Sequence, residues 1–196
     1  MIAYIRGKFT TKTPTLVHMD VQGLGYEVHV SLHTYSQIQH LAEGTLYTLL
    51  IIKEDAHVLY GFAEPIEKQM FQQLISVSGV GPTTAQIVLS SLTPAQVGAA
   101  IQQEDEHIFH RVKGIGPKTA KRIIIDLKDK VIKIQDPKLL TSSPLDNTIR
   151  SEALSALVTL GFNRPQAQKA VDDLLKNATI VWNVESLLKE ALKVLS

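Results

Sequence analysis

Two stretches of this chain combine the residue types that can hold an anion without a metal. Ser78-Gly79-Val80-Gly81-Pro82-Thr83-Thr84-Ala85 and Lys113-Gly114-Ile115-Gly116-Pro117-Lys118-Thr119-Ala120 match at an offset of 35 residues. In each, a pair of glycines lets the backbone turn tightly and come close to a ligand. The proline that follows presets the first turn of a helix. That helix aims its unbonded N–H groups and the positive end of its dipole at whatever lies before it. Thr83, Thr84 and Thr119 stand in those first turns, and Lys113, Lys118, Lys121 and Arg122 crowd charge around the second. The ligand this chemistry suits is a phosphate.

The phosphate could belong to a nucleotide or to a nucleic acid. A nucleotide-binding P-loop needs a glycine and a lysine side by side, after a buried strand. Here Pro117 separates Gly116 from Lys118, and a helical pattern precedes the loop instead of a strand. A dinucleotide fingerprint fails for the same lack of a strand-turn-helix context. A backbone phosphate remains. Each unit reads as helix, tight glycine hairpin, helix, with AQIVLSSL and AKRIIIDL as the following helices. This is the helix-hairpin-helix motif, and two copies could grip a duplex on both sides of a groove. The grip touches backbone and no base, so binding should be independent of sequence and sensitive to salt.

Charge agrees with this reading locally, not globally. The 196 residues carry a net charge of only +1. Arg111 to Lys133, however, holds eight Lys/Arg against Asp126 and Asp129 alone. There is no cysteine, which excludes disulfides and thiolate metal sites. The opening MIAYIRGKF is too short and too charged for a signal peptide. No apolar run approaches the roughly 18 residues that a membrane span needs. A cytoplasmic protein is expected.

The elements that must carry the hairpins can be read in outline. IAYIRGKF, TLVHMDV, YEVHVSL, LYTLLIIK and HVLYGF are β-branched and aromatic runs. Turn signals at Thr13-Pro14, Gly23-Leu24-Gly25, Glu43-Gly44 and Glu54-Asp55 separate them, and Tyr35 to Leu41 suits a short helix. Five strands are too few for two sheets, and closure removes their edges. Residues 1–63 are therefore expected to form a five-stranded OB-fold barrel. Residues 64–135 form the tandem helix-hairpin-helix domain, beginning with Pro65 in a first helical turn. Residues 136–147, with two prolines and a Thr-Ser-Ser run within QDPKLLTSSPLDN, read as a linker. Residues 148–196 suggest a three-helix bundle, with Gly161 as a helix stop and Asn163 and Asn183 as caps. The fold class is α+β and multidomain.

With these pieces in place, the whole chain resembles the bacterial RuvA family, the Holliday junction-binding subunits of the RuvAB branch-migration complex. The resemblance rests on MIAYIRGKF, VQGLGYEVHVS, KEDAHVLYGF, SGVGPTTA, KGIGPKTAKR and ALVTLGF. It implies a non-catalytic protein of homologous recombination, DNA repair and the SOS response. It implies a homotetramer, in some members stacked into an octamer, that holds a four-way junction open. It also implies a hexameric RuvB-type ATPase and a RuvC-type resolvase as partners. ATP hydrolysis then belongs to RuvB, and no cofactor is expected here. A Glu-Asp turn by itself is an ordinary solvated hairpin; by resemblance, Glu54 and Asp55 become an acidic pin that separates strands at the junction centre. Leu157, Leu160 and Phe162, at the first turn of the third domain, become contacts to RuvB, although their spacing also suits a core. Thr83 departs from the family pattern, which carries lysine there. The rival readings are a generic helix-hairpin-helix DNA module and a helix-hairpin-helix glycosylase or nuclease with Asp136 as its acid. The seven histidines, His29/His33 and His107/His110 among them, do not compose a metal site by spacing.

Overall fold

The computed structural model describes residues 2–135, 146–176 and 182–195. The chain divides into two compact units, Met1–Gln135 and Asp136–Ser196. The barrel and the double hairpin, consecutive in sequence, share the first unit.

Five strands close into a barrel in the order β1-β2-β3-β5-β4, the OB-type arrangement: β1 (Tyr4–Lys12), β2 (Leu16–Val21), β3 (Leu24–Val30), β4 (Glu43–Ile52) and β5 (His57–Phe62). All neighbours are antiparallel except β3 and β5, which pair through His29↔Tyr60 and Val30↔Gly61. Ile5, Val17, Met19, Val28, Val30, Leu46 and Leu59 fill the interior. Two of the expected turns are displaced. The β2–β3 hairpin turns on Gln22-Gly23, both with positive φ, so Leu24 and Gly25 are already in β3. The Asp20 Oδ1 accepts from the Gly23 N–H at 2.7 Å and fixes that turn one residue earlier. Glu43-Gly44 is not a turn; both residues belong to β4, where they pair with Lys8 and Gly7.

The short helix also shifts. α1 runs Leu32–Ile38, three residues before the expected start, because the Ser31 hydroxyl caps it by accepting from the Thr34 N–H. Its far end is closed by Lys12, whose Nζ donates to the carbonyls of Gln39 and Leu41, both at 2.7 Å. A cation on the terminal carbonyls opposes the negative end of the helix dipole.

Beyond the barrel come α2 (Pro65–Ile75), α3 (Pro82–Ser91), α4 (Pro94–Gln102), α5 (Glu106–His110) and α6 (Pro117–Gln135). Their core is continuous with the outer face of β4 and β5. Leu49, Tyr60 and Phe62 join Phe71, Leu74, Leu89, Ile101, Phe109, Ile123 and Leu127 in one cluster. Phe71 sits 5.0 Å, ring to ring, from both Tyr60 and Phe62. Removing an aromatic ring from such a seam costs about 3–5 kcal/mol, so helices and barrel hold together as one body.

The seam contains one charged residue. Glu67, in the first turn of α2, is 0 % exposed. The Ser31 hydroxyl donates to its Oε1 and the Thr34 hydroxyl to its Oε2, while Thr34 also accepts from the Ala63 N–H at 3.0 Å. One carboxyl thus ties the α1 cap, the end of β5 and the start of α2.

In the second unit, α7 (Asp146–Thr159), α8 (Arg164–Lys176) and α9 (Val184–Leu195) pack around Ala153, Leu157, Ala167, Val171, Leu187 and Ala191. α7 opens at Asp146, inside the stretch expected as linker; 136–145 lie outside the described residues. Gly161 ends α7 with φ +95°. The Phe162 N–H reaches the Leu157 carbonyl and the Gly161 N–H the Val158 carbonyl, a Schellman closure. Arg150 grips Asp172 with two hydrogen bonds, 2.6 and 2.9 Å. Asn183 caps α9 by accepting from the Ser186 N–H at 2.7 Å.

Glu67 gives a stability test. Glu67→Ala orphans two buried hydroxyls and should cost about 3 kcal/mol, with Glu67→Gln costing less, by urea denaturation. Burial raises the Glu67 carboxyl above its ordinary 4.5, more than the Ser31 and Thr34 hydrogen bonds and the nearby His33 lower it. Between those two values the folded chain keeps a proton that the unfolded chain has lost. Stability should therefore fall as pH rises through that window, and level off above it. Thermal denaturation against pH should show this slope in wild type and not in Glu67→Gln.

Candidate nucleic-acid interface

The two hairpins are built alike in detail. The first joins α2 to α3 and the second joins α5 to α6. Val77 and Val80 are buried beneath the first, Val112 and Ile115 beneath the second. The Val80 N–H bonds the Val77 carbonyl at 3.0 Å, and the Ile115 N–H bonds the Val112 carbonyl at 3.2 Å. Apolar anchors and a closed turn hold each loop on the core.

The glycines divide into two kinds. Gly79 and Gly114 take φ of +91° and +89°, the left-handed region where a side chain is strained. Gly81 and Gly116 do not have positive φ. A Cβ on either would meet nothing within 4 Å. Among the described residues, neither conformation nor packing asks for glycine there. What their bareness does is leave the backbone open to solvent, directly before Pro82 and Pro117 at the helix starts. Pro82 and Pro117 carry no N–H and the Thr119 N–H bonds the Gly116 carbonyl at 3.0 Å, so the first-turn donors that each hairpin presents past an unshielded peptide, at the positive dipole end, are those of Thr83 and Thr84 and of Lys118.

The structure sorts the basic cluster. Lys113, Lys118 and Lys121 are exposed around the second hairpin. Lys128 pairs with Glu104, which lowers the Glu104 carboxyl from its ordinary value. Arg122 is exposed but engaged: its guanidinium donates to the Ser78 carbonyl of the first hairpin at 3.2 Å. Nothing in the sequence pattern signalled that bond, which spans 44 residues.

The two repeats differ where they face the barrel. Thr83 lies beside Tyr60, a buried phenol that burial raises above its ordinary value and the neighbouring Thr83 hydroxyl lowers. One turn on, the Gln86 side chain donates to the Val30 carbonyl at 2.7 Å and the Thr15 carbonyl at 3.3 Å. The Ser90 hydroxyl accepts from the Leu32 N–H at 3.0 Å. The same face of α6, offset by 35, carries Lys118, Lys121 and Ile125, all exposed. So α3 spends its polar face on the barrel and α6 leaves its own bare. Position 83 carries a hydroxyl where the second repeat carries Lys118. Thr84 and Thr119 lie in the first turns of α3 and α6, as read from sequence.

Glu54 and Asp55 form the exposed tip of the β4–β5 hairpin, closed by the Lys53 N–H on the Ala56 carbonyl at 2.8 Å. β1 pairs β4 only as far as Tyr47, and the pairing of β4 with β5 continues to Ile52↔His57. The tip therefore stands at the end of a two-stranded arm. In the second unit, Leu157 is 0 % exposed, so it is a core residue with no surface to offer, contrary to the expected contact. Leu160 is 59 % exposed, and Phe162 is half-buried against the core.

His29 stacks on Tyr60 at 5.5 Å and His107 meets His110 edge-on at 5.9 Å. Among the described residues no group of three metal-ligating side chains assembles, and no helix is long and apolar enough to cross a membrane. Asp136 lies outside the described residues.

A closed OB-type barrel fused to two helix-hairpin-helix units defines the class of protein by its architecture. Comparison narrows the class. Residues 1–61 match the RuvA N terminal domain, residues 71–129 the SAM-like helix-hairpin-helix tandem, and residues 148–196 the RuvA C-terminal domain. A Cytophaga hutchinsonii protein is 50 % identical, covering 99 % of this chain and 100 % of its own length. One from Christiangramia forsetii is 49 % identical over 100 % of both chains. One from Flavobacterium psychrophilum is 48 % identical over 98 % of this chain and 99 % of its own. Each is named Holliday junction branch migration complex subunit RuvA. The chain belongs to the RuvA family.

The two kinds of glycine make a paired test. Gly114→Ala should cost about 1–2 kcal/mol through its left-handed φ. Gly116→Ala should stay within about 0.5 kcal/mol of wild type. Urea denaturation of the two variants measures both.

Proposed function

We propose that this chain binds four-way DNA junctions through their phosphate backbone and couples them to a RuvB-type motor. The carrying observation is that Gly81 and Gly116 lack side chains that the fold would tolerate. An incoming phosphate explains the vacancy: it needs approach to the peptide closer than a methyl group allows. The contacts are the amides around Gly79, Gly81, Thr83 and Thr84 in the first hairpin. In the second they are those around Gly114, Gly116 and Lys118 with the Thr119 hydroxyl, joined by the side chains of Lys113, Lys118 and Lys121. Such contacts are made to backbone, so they position DNA without reading it. The relatives' shared name supports the junction as the target and branch migration as the process.

The acidic arm supplies the preference for a junction. In a four-fold assembly, four Glu54-Asp55 tips converge on the axis. Carboxylates repel phosphates at short range, so an intact duplex crossing the axis is disfavoured. An open junction, whose strands part there, is accepted. The discrimination comes from the repelled alternative. The sequence holds no G-x-x-x-x-G-K-S/T run, and ATP hydrolysis falls to the partner. The C-terminal unit meets that partner through Leu160, with Leu157 and Phe162 supporting the surface from beneath.

A gel-shift competition between a synthetic four-way junction and linear duplex of equal length, at two salt concentrations, tests the reading. Junction preference that survives the higher salt is expected. Equal, salt-collapsing binding to both would mean a generic phosphate gripper. Replacing Glu54 and Asp55 with Gln and Asn should raise duplex affinity and narrow the preference. Gly81→Ala and Gly116→Ala should each weaken binding to either DNA by about tenfold, the loss of one or two charge-assisted hydrogen bonds. Leu160→Asp should abolish binding to the motor in a pull-down while the unit keeps its helical circular dichroism. Leu157→Asp should unfold the unit instead.

A further inference from the structure

We infer that Arg122 is a strut between the two hairpins, a positioning residue for the first phosphate site instead of a phosphate ligand of the second. The inference rests on the proposed backbone grip. Arg122 stands on α6, one turn past the second hairpin, yet its guanidinium donates to the Ser78 carbonyl at 3.2 Å. Ser78 directly precedes Gly79, the left-handed residue that sets the first turn. A donor on that carbonyl fixes the peptide plane between Ser78 and Gly79, and with it the direction of the amides that follow.

The bond has no counterpart in the other direction. By the 35-residue offset, Arg122 corresponds to Ile87 and Ser78 to Lys113. Ile87 packs against the central core and, being apolar, has no donor to reach Lys113. The first hairpin's following helix is also held from the barrel side, by Gln86 on the Val30 and Thr15 carbonyls. It carries no cation in its Ser78–Thr84 loop. An uncharged phosphate site depends on amide direction more than a charged one, which draws its anion by long-range attraction. The second hairpin has lysines for capture. The first has geometry, and Arg122 transmits the position of one hairpin to the other.

The test uses the full chain and a synthetic four-way junction. Arg122→Met should weaken junction binding about five- to tenfold, within the range of one lost intramolecular hydrogen bond. The slope of log affinity against log salt should stay as in wild type. A fall of about one in that slope would mark a direct phosphate contact and overturn the inference. In a Gly81→Ala background, Arg122→Met should add little, because its target site is already blocked. In a Gly116→Ala background it should keep its full effect. Equal effects in both backgrounds would mean general destabilisation, and the inference fails. A DNA-free arm separates this from the grip itself. Amide hydrogen exchange at Val80 should quicken in Arg122→Met, with Ile115 unchanged. No change at Val80 overturns the strut whatever the DNA result. Quickening at Val80 in a protein with no DNA affinity upholds the strut and overturns the grip.

Discussion

A peptide N–H can serve as a ligand only if it is unpaired, rigid and unshielded, and a folded chain resists all three. Unpaired donors are costly when buried, so they must sit at the surface. Surface loops move, so the donor must be anchored from below. Side chains cover the backbone, so the position beside the donor must be bare. The two hairpins meet these demands with one recipe. Val77 and Val80, or Val112 and Ile115, plug the loop into the core. A left-handed glycine folds it, and a second glycine leaves it uncovered. The rest of the first unit can be read as the frame this recipe requires.

The frame is stiff because its parts share residues. Tyr60 and Phe62 lie on a barrel strand, yet they belong to the helical core. Glu67 joins three elements through one carboxyl. Gln86 joins a fourth. Placing an ionisable group at such a junction is an uneasy solution, since burial penalises its charge. What it gains is direction: two hydroxyl donors meet a fork of fixed geometry, which an apolar contact would not specify.

The sequence disclosed what is local. Five β-rich runs, the Asn183 cap, the Gly161 stop and the repeated hairpin were legible because each depends on neighbours within a few residues. The errors were also local. At Gly23-Leu24-Gly25 two glycines competed for the turn, and the Asp20 side chain decides for the first. At α1 the apolar pattern was clearer than the cap, and Ser31 sets the start. What could not be read is pairing across long separation. The commitment of Gln86 to Val30, of Arg122 to Ser78 and of Glu67 to Ser31 each joins residues with no periodic relation. The site residues were legible as a cluster, but which of them face outward was not. Leu157 and Leu160 looked equivalent in sequence, yet Leu157 is buried within α7 and Leu160, just past its end, is exposed.

The arm formed by β4 and β5 acts as a ruler. Its outer residues Ile51 and Val58 rest on the same core that carries the hairpins, so the acidic tip and the amides are surveyed from one origin. Strand residues advance by about 3.3 Å each and alternate faces. Inserting one residue per strand between the barrel and this pair would turn Ile51 and Val58 off the core, so the seated part of the arm lengthens only in steps of two, roughly 6.6 Å. Beyond Ile51 and Val58 the short strand ends and the turn alone set how far the carboxylates reach.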